Sequence, residues 1–258
     1  MSNFFSIPKL NKKNTIKNIY NKPFNNKNIN ECIFDIPANI FQTWESKNIP
    51  PLMLQTILLI VRNNPKFRYY LFDDNDCQKF IKDNFSEEIL NTYNNLIPGA
   101  YKADLWRYCI LYKMGGIYID IKYRPINGFK LYNLLEKEHW VLDIDNKNIY
   151  NAIMVCKPGN QILLNAINKI VENVKNKYYG NSPLEPTGPI MLGNLVQNNK
   201  LGLNIDMNHF IYGGYIIYNN RFIISTEYPE YNSDMMSEYN LLNTKKYNNL
   251  WLEKKIYR

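Results

Sequence analysis

A helix-to-strand junction near the middle of the chain most constrains its fold. From Ala100 to Lys113 the sequence AYKADLWRYCILYK reads as a helix that is apolar on several sides, and it stops at Gly115-Gly116, where a left-handed helix end is expected. Ile117-Tyr118-Ile119-Asp120-Ile121-Lys122 follows and alternates with period two. As a strand it places its three isoleucines on one face and Tyr118, Asp120 and Lys122 on the other. A helix apolar on several sides and a strand with an apolar face must be covered by further layers, which points to a layered α/β fold. Ligands in such folds bind beyond the carboxyl ends of strands. The row of ring, anion and cation is therefore a candidate site, although an ordinary half-buried strand with a polar outer face accounts for the same residues.

The flanking pattern agrees. Ile36–Thr43 reads as a strand, Pro50-Pro51 opens a helix running to about Asn63, and Phe67–Phe72 reads as a second strand. Asp74 is expected to cap a helix over Asn75–Asp83, and Ser86 another over Glu87–Asn95. Farther on, Trp140–Leu142 and Ala152–Cys156 read as strands, Gln161–Lys177 as a helix, Ser182–Pro189 as loop and Ile190–Gln197 as a short helix. Phe210–Tyr218 and Arg221–Ser225 suggest a hairpin turning at Asn219-Asn220. Strand–helix alternation in the first half predicts a mostly parallel sheet covered on both faces, with antiparallel pieces in the second. Residues 1–35 form a basic, Asn-rich extension, and 36–258 are expected to form one domain.

Within the helix, Asp104 and Arg107 stand three residues apart and share a face. On a surface they would be a weak ion pair. Here Trp106, Tyr108, Ile110 and Leu111 surround them, which argues for a charged pair held internally.

Composition removes several classes. The net charge of +8 suits an anionic partner such as a nucleotide diphosphate, though common lysine accounts for it equally. The basic residues are spread along the chain without a nucleic-acid-binding motif, so no nucleic acid is expected. Cys32, Cys77, Cys109 and Cys156 form no CxxC pair, which with only His139 and His209 argues against zinc. Neither histidine accompanies a G-x-S-x-G elbow. The longest apolar run, Pro51–Val61, is too short to span a bilayer, so the chain reads as soluble and cytoplasmic, in host cytoplasm or virion if viral.

Four stretches resemble glycosyltransferase family 32, the DxD-containing sugar transferases, and are similar to motifs of large glucosylating toxins. They are Ile36-Pro37-Ala38-Asn39-Ile40-Phe41-Gln42-Thr43-Trp44; Asn64-Pro65 through Leu71-Phe72-Asp73-Asp74; Ala103-Asp104-Leu105-Trp106-Arg107-Tyr108 with Leu111-Tyr112 and Gly115–Asp120; and Thr187-Gly188-Pro189. The resemblance implies an α/β, GT-A (Rossmann-like) fold, a mixed sheet flanked by helices, and transfer of a sugar from a nucleotide-sugar donor, a UDP-sugar favoured, with retention of configuration. The acceptor, glycan or protein, is left open. It also implies a donor site of Phe41, Gln42, Thr43, Trp44, Asp104, Arg107, Tyr118, Asp120 and Trp251, with Trp44 near the base or simply packed in the core. Asp104, Arg107, Asp120 and Lys122 would serve catalysis, and Thr187, Gly188 and Pro189 an acceptor-side loop.

One position departs from the family pattern. Lys122 stands where the second Asp of DxD would bind Mn²⁺ or Mg²⁺, and an ammonium cannot ligate a hard cation. Three readings follow: Lys122 replaces the metal's charge; a metal still binds through Asp120 with carboxylates such as Asp143 or Asp145; or transfer is lost and a nucleotide- or glycan-binding module remains.

Overall fold

The computed structural model describes residues 34–198, 203–210, 214–241 and 243–258; nearly all of the expected N-terminal extension, Cys32 included, lies outside them. The strands are β1 (Asn39–Thr43), β2 (Arg68–Phe72), β3 (Gly116–Ile119), β4 (Arg124–Pro125), β5 (His139–Leu142), β6 (Ile149–Cys156), β7 (Ile205–Phe210), β8 (Tyr215–Tyr218) and β9 (Arg221–Ser225). The helices are α1 (Pro51–Asn63), α2 (Asp74–Asn84), α3 (Glu87–Asn95), α4 (Gly99–Met114), α5 (Gln161–Lys175), α6 (Pro189–Asn198), α7 (Tyr231–Leu241) and α8 (Tyr247–Leu252), with a 3₁₀ turn at Leu131–Leu134.

The strands form one nine-stranded sheet in the order β2-β1-β3-β6-β5-β7-β8-β9-β4. β2, β1 and β3 run parallel, β5 pairs parallel with β7, and the remaining pairings are antiparallel. The expected mixed sheet is thus observed, parallel in its first part.

The central strands bury both faces. Phe41, Tyr118, Met154 and Cys156 enter one apolar cluster with α4 and α5; Ile40, Ile117, Ile119, Ile153 and Val155 enter another with Leu131 and Leu134. This is the period-two alternation of a strand, with apolar side chains on both sides. α4 is buried without a break from Asp104 to Leu111, as its apolar circumference requires. It ends at Gly115, with φ +61°, where a Cβ would stand 2.5 Å from Pro158 Cδ. At Gly116 a Cβ would meet the Asn39 carbonyl at 2.7 Å. The glycine pair therefore supplies both the turn and the close approach of α4–β3 to β1.

Several expectations need correction. β3 ends at Ile119, not Lys122. The Asp120 N–H still donates to Ala152 O at 2.8 Å, but Tyr123 N–H donates back to Asp120 O at 3.0 Å, so the chain turns there. Ile121 consequently leaves the other isoleucines and packs with Trp44, Met53, Ile57 and Tyr228. Asp73 rather than Asp74 caps α2, accepting from Asp76 N–H in a reciprocal capping box. Ser86 occupies the cap position of α3 without a side-chain bond. The hairpin at Asn219-Asn220 is present, both residues having positive φ, but its first arm is only β8; Phe210 belongs to β7. The segment bearing α7 carried no expected helix. Cys77, Cys109 and Cys156 are buried free thiols.

Candidate active site

The site rests on the buried pair in α4. Asp104 Oδ1 lies 3.3 Å from the Arg107 guanidinium and accepts from Asn151 Nδ2 at 2.9 Å; its Oδ2 accepts from the Thr187 hydroxyl at 2.7 Å. Burial pushes the Asp104 carboxyl upward, opposed by Arg107, Thr187 and Asn151. Arg107 donates to the carbonyls of Asn151 (2.7 Å) and Ala103 (3.2 Å), lies 4.3 Å from the Tyr118 ring centre, and stands 3.6 Å from Asp120 Oδ1. The Tyr118 hydroxyl donates to that same oxygen at 2.8 Å. The Asp120 carboxylate, just past the end of β3, is thus held by one cation and one hydroxyl. Gln42 steadies the turn below, donating to Asp120 O at 3.2 Å and accepting from Tyr69 at 2.7 Å.

Above this floor opens a solvent-facing cleft. It is lined by Thr43, Trp44, Arg107, Tyr118, Asp120 and Lys122, and on the facing side by Tyr231, Met235, Glu238 and Tyr239. Lys122 Nζ lies 3.4 Å from Glu227 and 5.0 Å from the Tyr231 ring centre. Among the described residues, two buried polar atoms of the lining residues lack a hydrogen-bond partner, the Trp44 indole N–H and Glu45 Oε2. Buried polar groups are ordinarily paired, and these two are exceptions beside the cleft.

Tyr118, Asp120, Lys122, Arg107, Trp44 and Thr43 are therefore brought together as expected, although the last two residues of the β3 motif arrive by a turn rather than by strand alternation. Other expected residues lie elsewhere. Phe41 is buried and stacked on Tyr70, and Gln42 is wholly buried beneath the cleft. Asp104 is outside the cleft lining and pairs with Arg107 beneath it. Thr187 is 1% exposed, and Gly188 and Pro189 are buried, so this segment ties α6 to α4 instead of forming an open acceptor loop. Trp251 donates to Tyr179 O at 2.7 Å and docks α8 against the main core, outside the cleft lining. Sequence reading missed Glu45, Asp74 and α7. Trp44-Glu45 adjoins a recognised motif, but α7 has no strong periodicity to reveal it.

Glu45 is unusual in having its carboxyl pushed up to about 7 by burial, with Asp74 and Glu238 adding to the effect and Lys102 opposing it. Between roughly pH 4.5 and 7 the folded chain then binds more protons here than the unfolded chain, and stability falls as pH rises through that window. The full shift corresponds to roughly 3 kcal/mol, and partial solvent access reduces it. Glu45→Gln is expected to stabilise the fold by about 1–2 kcal/mol at pH 8 and not at pH 4, as urea unfolding at the two pH values would read.

No all-protein cage for a divalent cation is present among the described residues. Asp120 is committed to Arg107 and Tyr118, Asp143 is paired with His209 at 3.1 Å, and Asp145 accepts from the Lys147 and Asn148 amides of its own loop. Among the described residues no three His, Cys, Asp or Glu side chains gather as a metal-binding group. The ammonium of Lys122 occupies the neighbouring position.

This sheet, with its anionic turn at the carboxyl end of β3 beside a buried Asp–Arg helix, is an α/β fold of the GT-A type. The fold is similar to that of PaToxG Glycosyltransferase, with a TM-score of 0.50, 13% identity, and coverage of 86% of this chain and 84% of that one. Residues 50–152 match the family described as "Glycosyltransferase sugar-binding region containing DXD motif". Similar curated proteins include Inositol phosphoceramide mannosyltransferase 3 of Schizosaccharomyces pombe, 28% identical over 158 residues, covering 61% of this chain and 44% of that protein. Initiation-specific alpha-1,6-mannosyltransferase of Candida albicans is 32% identical over 91 residues, 33% of this chain and 24% of that protein. Uncharacterized glycosyltransferase L373 of Acanthamoeba polyphaga mimivirus is 34% identical over 88 residues, 33% of this chain and 35% of that protein. The chain spans less than half the length of these relatives. No helix among the described residues is long and apolar enough to cross a membrane.

Proposed function

We propose that the chain transfers a sugar from a nucleotide-sugar donor to a hydroxyl acceptor, with Lys122 in place of a divalent cation at the diphosphate. The observation that carries this reading is the open cleft over Arg107, Tyr118, Asp120 and Lys122, in a chain whose residues 50–152 match the DXD sugar-transferase family. In the proposed reaction the anomeric carbon–phosphate oxygen bond breaks, a bond to the acceptor oxygen forms, and the acceptor proton passes to the departing diphosphate. The transition state resembles an oxocarbenium ion, and its main demand is stabilisation of charge on the leaving group. Lys122 Nζ meets that demand as a point charge. Asp120, fixed by Tyr118 and Arg107, is oriented to accept hydrogen bonds from donor hydroxyls. Trp44, also in the cleft lining, serves as a wall for the base. The family resemblance supports retention of configuration as part of this reading.

The family relatives named as mannosyltransferases favour mannose as the transferred sugar, so GDP-mannose joins the UDP-sugars in the donor test. With EDTA present, calorimetry is expected to detect donor binding, and Asp120→Asn is expected to weaken it about 10- to 100-fold, the loss of a charged hydrogen-bond acceptor. An affinity unchanged in the variant would remove Asp120 from the donor site, and absence of binding for every sugar nucleotide would sink the proposal. The Lys122 departure also supports a binding module without transfer; donor bound but never turned over, with any acceptor or metal, would select it.

A further inference from the structure

A second cleft adjoins the first at Lys122. Its open volume is about 770 Å³, and it is lined by Lys122, Tyr150, His209, Gly214, Ser225, Thr226 and Glu227. Lys122 is the residue the linings of the two clefts share. Whatever occupies the second cleft therefore stands beside whatever anion Lys122 holds in the first.

The second cleft is built around an ordered histidine. His209 Nδ1 pairs with Asp143 Oδ1 at 3.1 Å, the two side chains being only 13% and 12% exposed. The His209 ring stacks on Tyr150 at 4.0 Å between centres and 18° between planes, and the Tyr150 hydroxyl meets that of buried Tyr123. Ring position and tautomer are both constrained, because a carboxylate on Nδ1 leaves Nε2 as the nitrogen for a ligand. Among the described residues no partner takes Nε2. An Asp–His pair packed on an aromatic ring, with a ring nitrogen to spare in an open cleft, is more than surface packing requires. The remaining lining is hydroxyl and carboxylate: Ser225, Thr226 and Glu227, the last 49% exposed and 3.4 Å from Lys122. Glu227 occupies the ammonium when no donor is bound. A diphosphate taking over Lys122 would release that carboxylate next to His209's cleft.

We propose that this second cleft is the acceptor subsite, taking a neutral polyhydroxylated ring such as a pyranose, with His209 Nε2 hydrogen-bonded to an acceptor hydroxyl and Asp143 positioning the imidazole. The proposal rests on the first cleft being the donor site: the anomeric carbon is bonded to the phosphate that Lys122 neutralises, so its acceptor must approach from a space bordering Lys122. The lining suits such a ring, since it offers donors and acceptors at several angles and an aromatic edge, with no cluster of cations to select an acidic ligand.

The test uses the full chain with saturated nucleoside diphosphate and methyl α-D-mannopyranoside as probe, read by saturation-transfer NMR, alongside calorimetry of the donor. Wild type is expected to give a saccharide signal. His209→Gln should weaken saccharide affinity at least 10-fold, and Asp143→Asn should do so by a smaller factor. In both variants donor affinity should stay within about twofold of wild type. In transfer assays the change should appear in the saccharide KM more than in the donor KM. Absence of a saccharide signal in wild type, an equal signal in a folded His209→Gln chain, or loss of donor affinity in parallel with the signal overturns the acceptor assignment. Absence of donor binding in wild type overturns the donor reading instead, so the two failures are distinguishable.

Discussion

Arg107→Ala is expected to destabilise the fold by about 3–5 kcal/mol, the range seen when one member of a buried ion pair is removed. The size of the effect comes from what is left behind. Asp104 is 8% exposed and burial already pushes its carboxyl upward; Arg107 is the first-ranked influence holding it down. Without the guanidinium, Asp104 retains only Thr187 and Asn151 as donors. The carbonyls of Asn151 and Ala103 lose their donor, Tyr118 loses the cation against its ring, and Asp120 loses one of its two anchors. Arg107→Lys is expected to recover little, because one ammonium cannot reproduce the planar fork that reaches two carbonyls and two carboxylates. Urea unfolding followed by circular dichroism would measure both variants. A loss below about 1 kcal/mol for Arg107→Ala would place the pair among weak surface bridges and contradict the buried network.

Lys122→Ala is expected to lower transfer by a factor on the order of 10²–10³, the usual consequence of removing one electrostatic group from a developing charge. Stability should hardly change, since the side chain lies at the edge of the cleft and its ion pair with Glu227 is partly exposed. Lys122→Arg keeps the charge and is expected to retain much more activity than alanine. On the proposed reading, with Lys122 supplying the positive charge, wild-type transfer should persist in EDTA. Initial-rate assays with and without EDTA on the three chains would decide the matter: abolition of wild-type turnover by EDTA, or full activity in Lys122→Ala, would refute the role given to Lys122.

Much of the fold was legible because it depends on local patterns. The helix over α4, its glycine stop and the β3 isoleucines each follow from short-range stereochemistry, and the same residues carry the family resemblance. The parallel β2-β1-β3 arrangement follows from strands separated by helices. What escaped was set by contacts distant in sequence. The alternation Ile117–Lys122 continues unbroken in the sequence, yet the strand stops at Ile119 because the next residues hydrogen-bond into a turn and Ile121 finds Trp44 and Met53. Thr187 looked like part of an open loop, but Asp104, 83 positions away, captures its hydroxyl. Trp251 was expected in the donor site, and Tyr179 O holds its indole against the core instead.

The sequence by itself determined the secondary elements of the central sheet, the buried character of α4 and the chemical types at the site: a ring, an anion and a cation within five residues. Only the tertiary structure decided which of them share a cleft, that α7 faces them, and that His209 and Asp143 stand beside Lys122. The reason is physical. Backbone propensity and hydrophobic period act over a few residues, whereas the partner of a buried polar group is chosen by the desolvation penalty of leaving it alone, and that partner can lie anywhere along the chain.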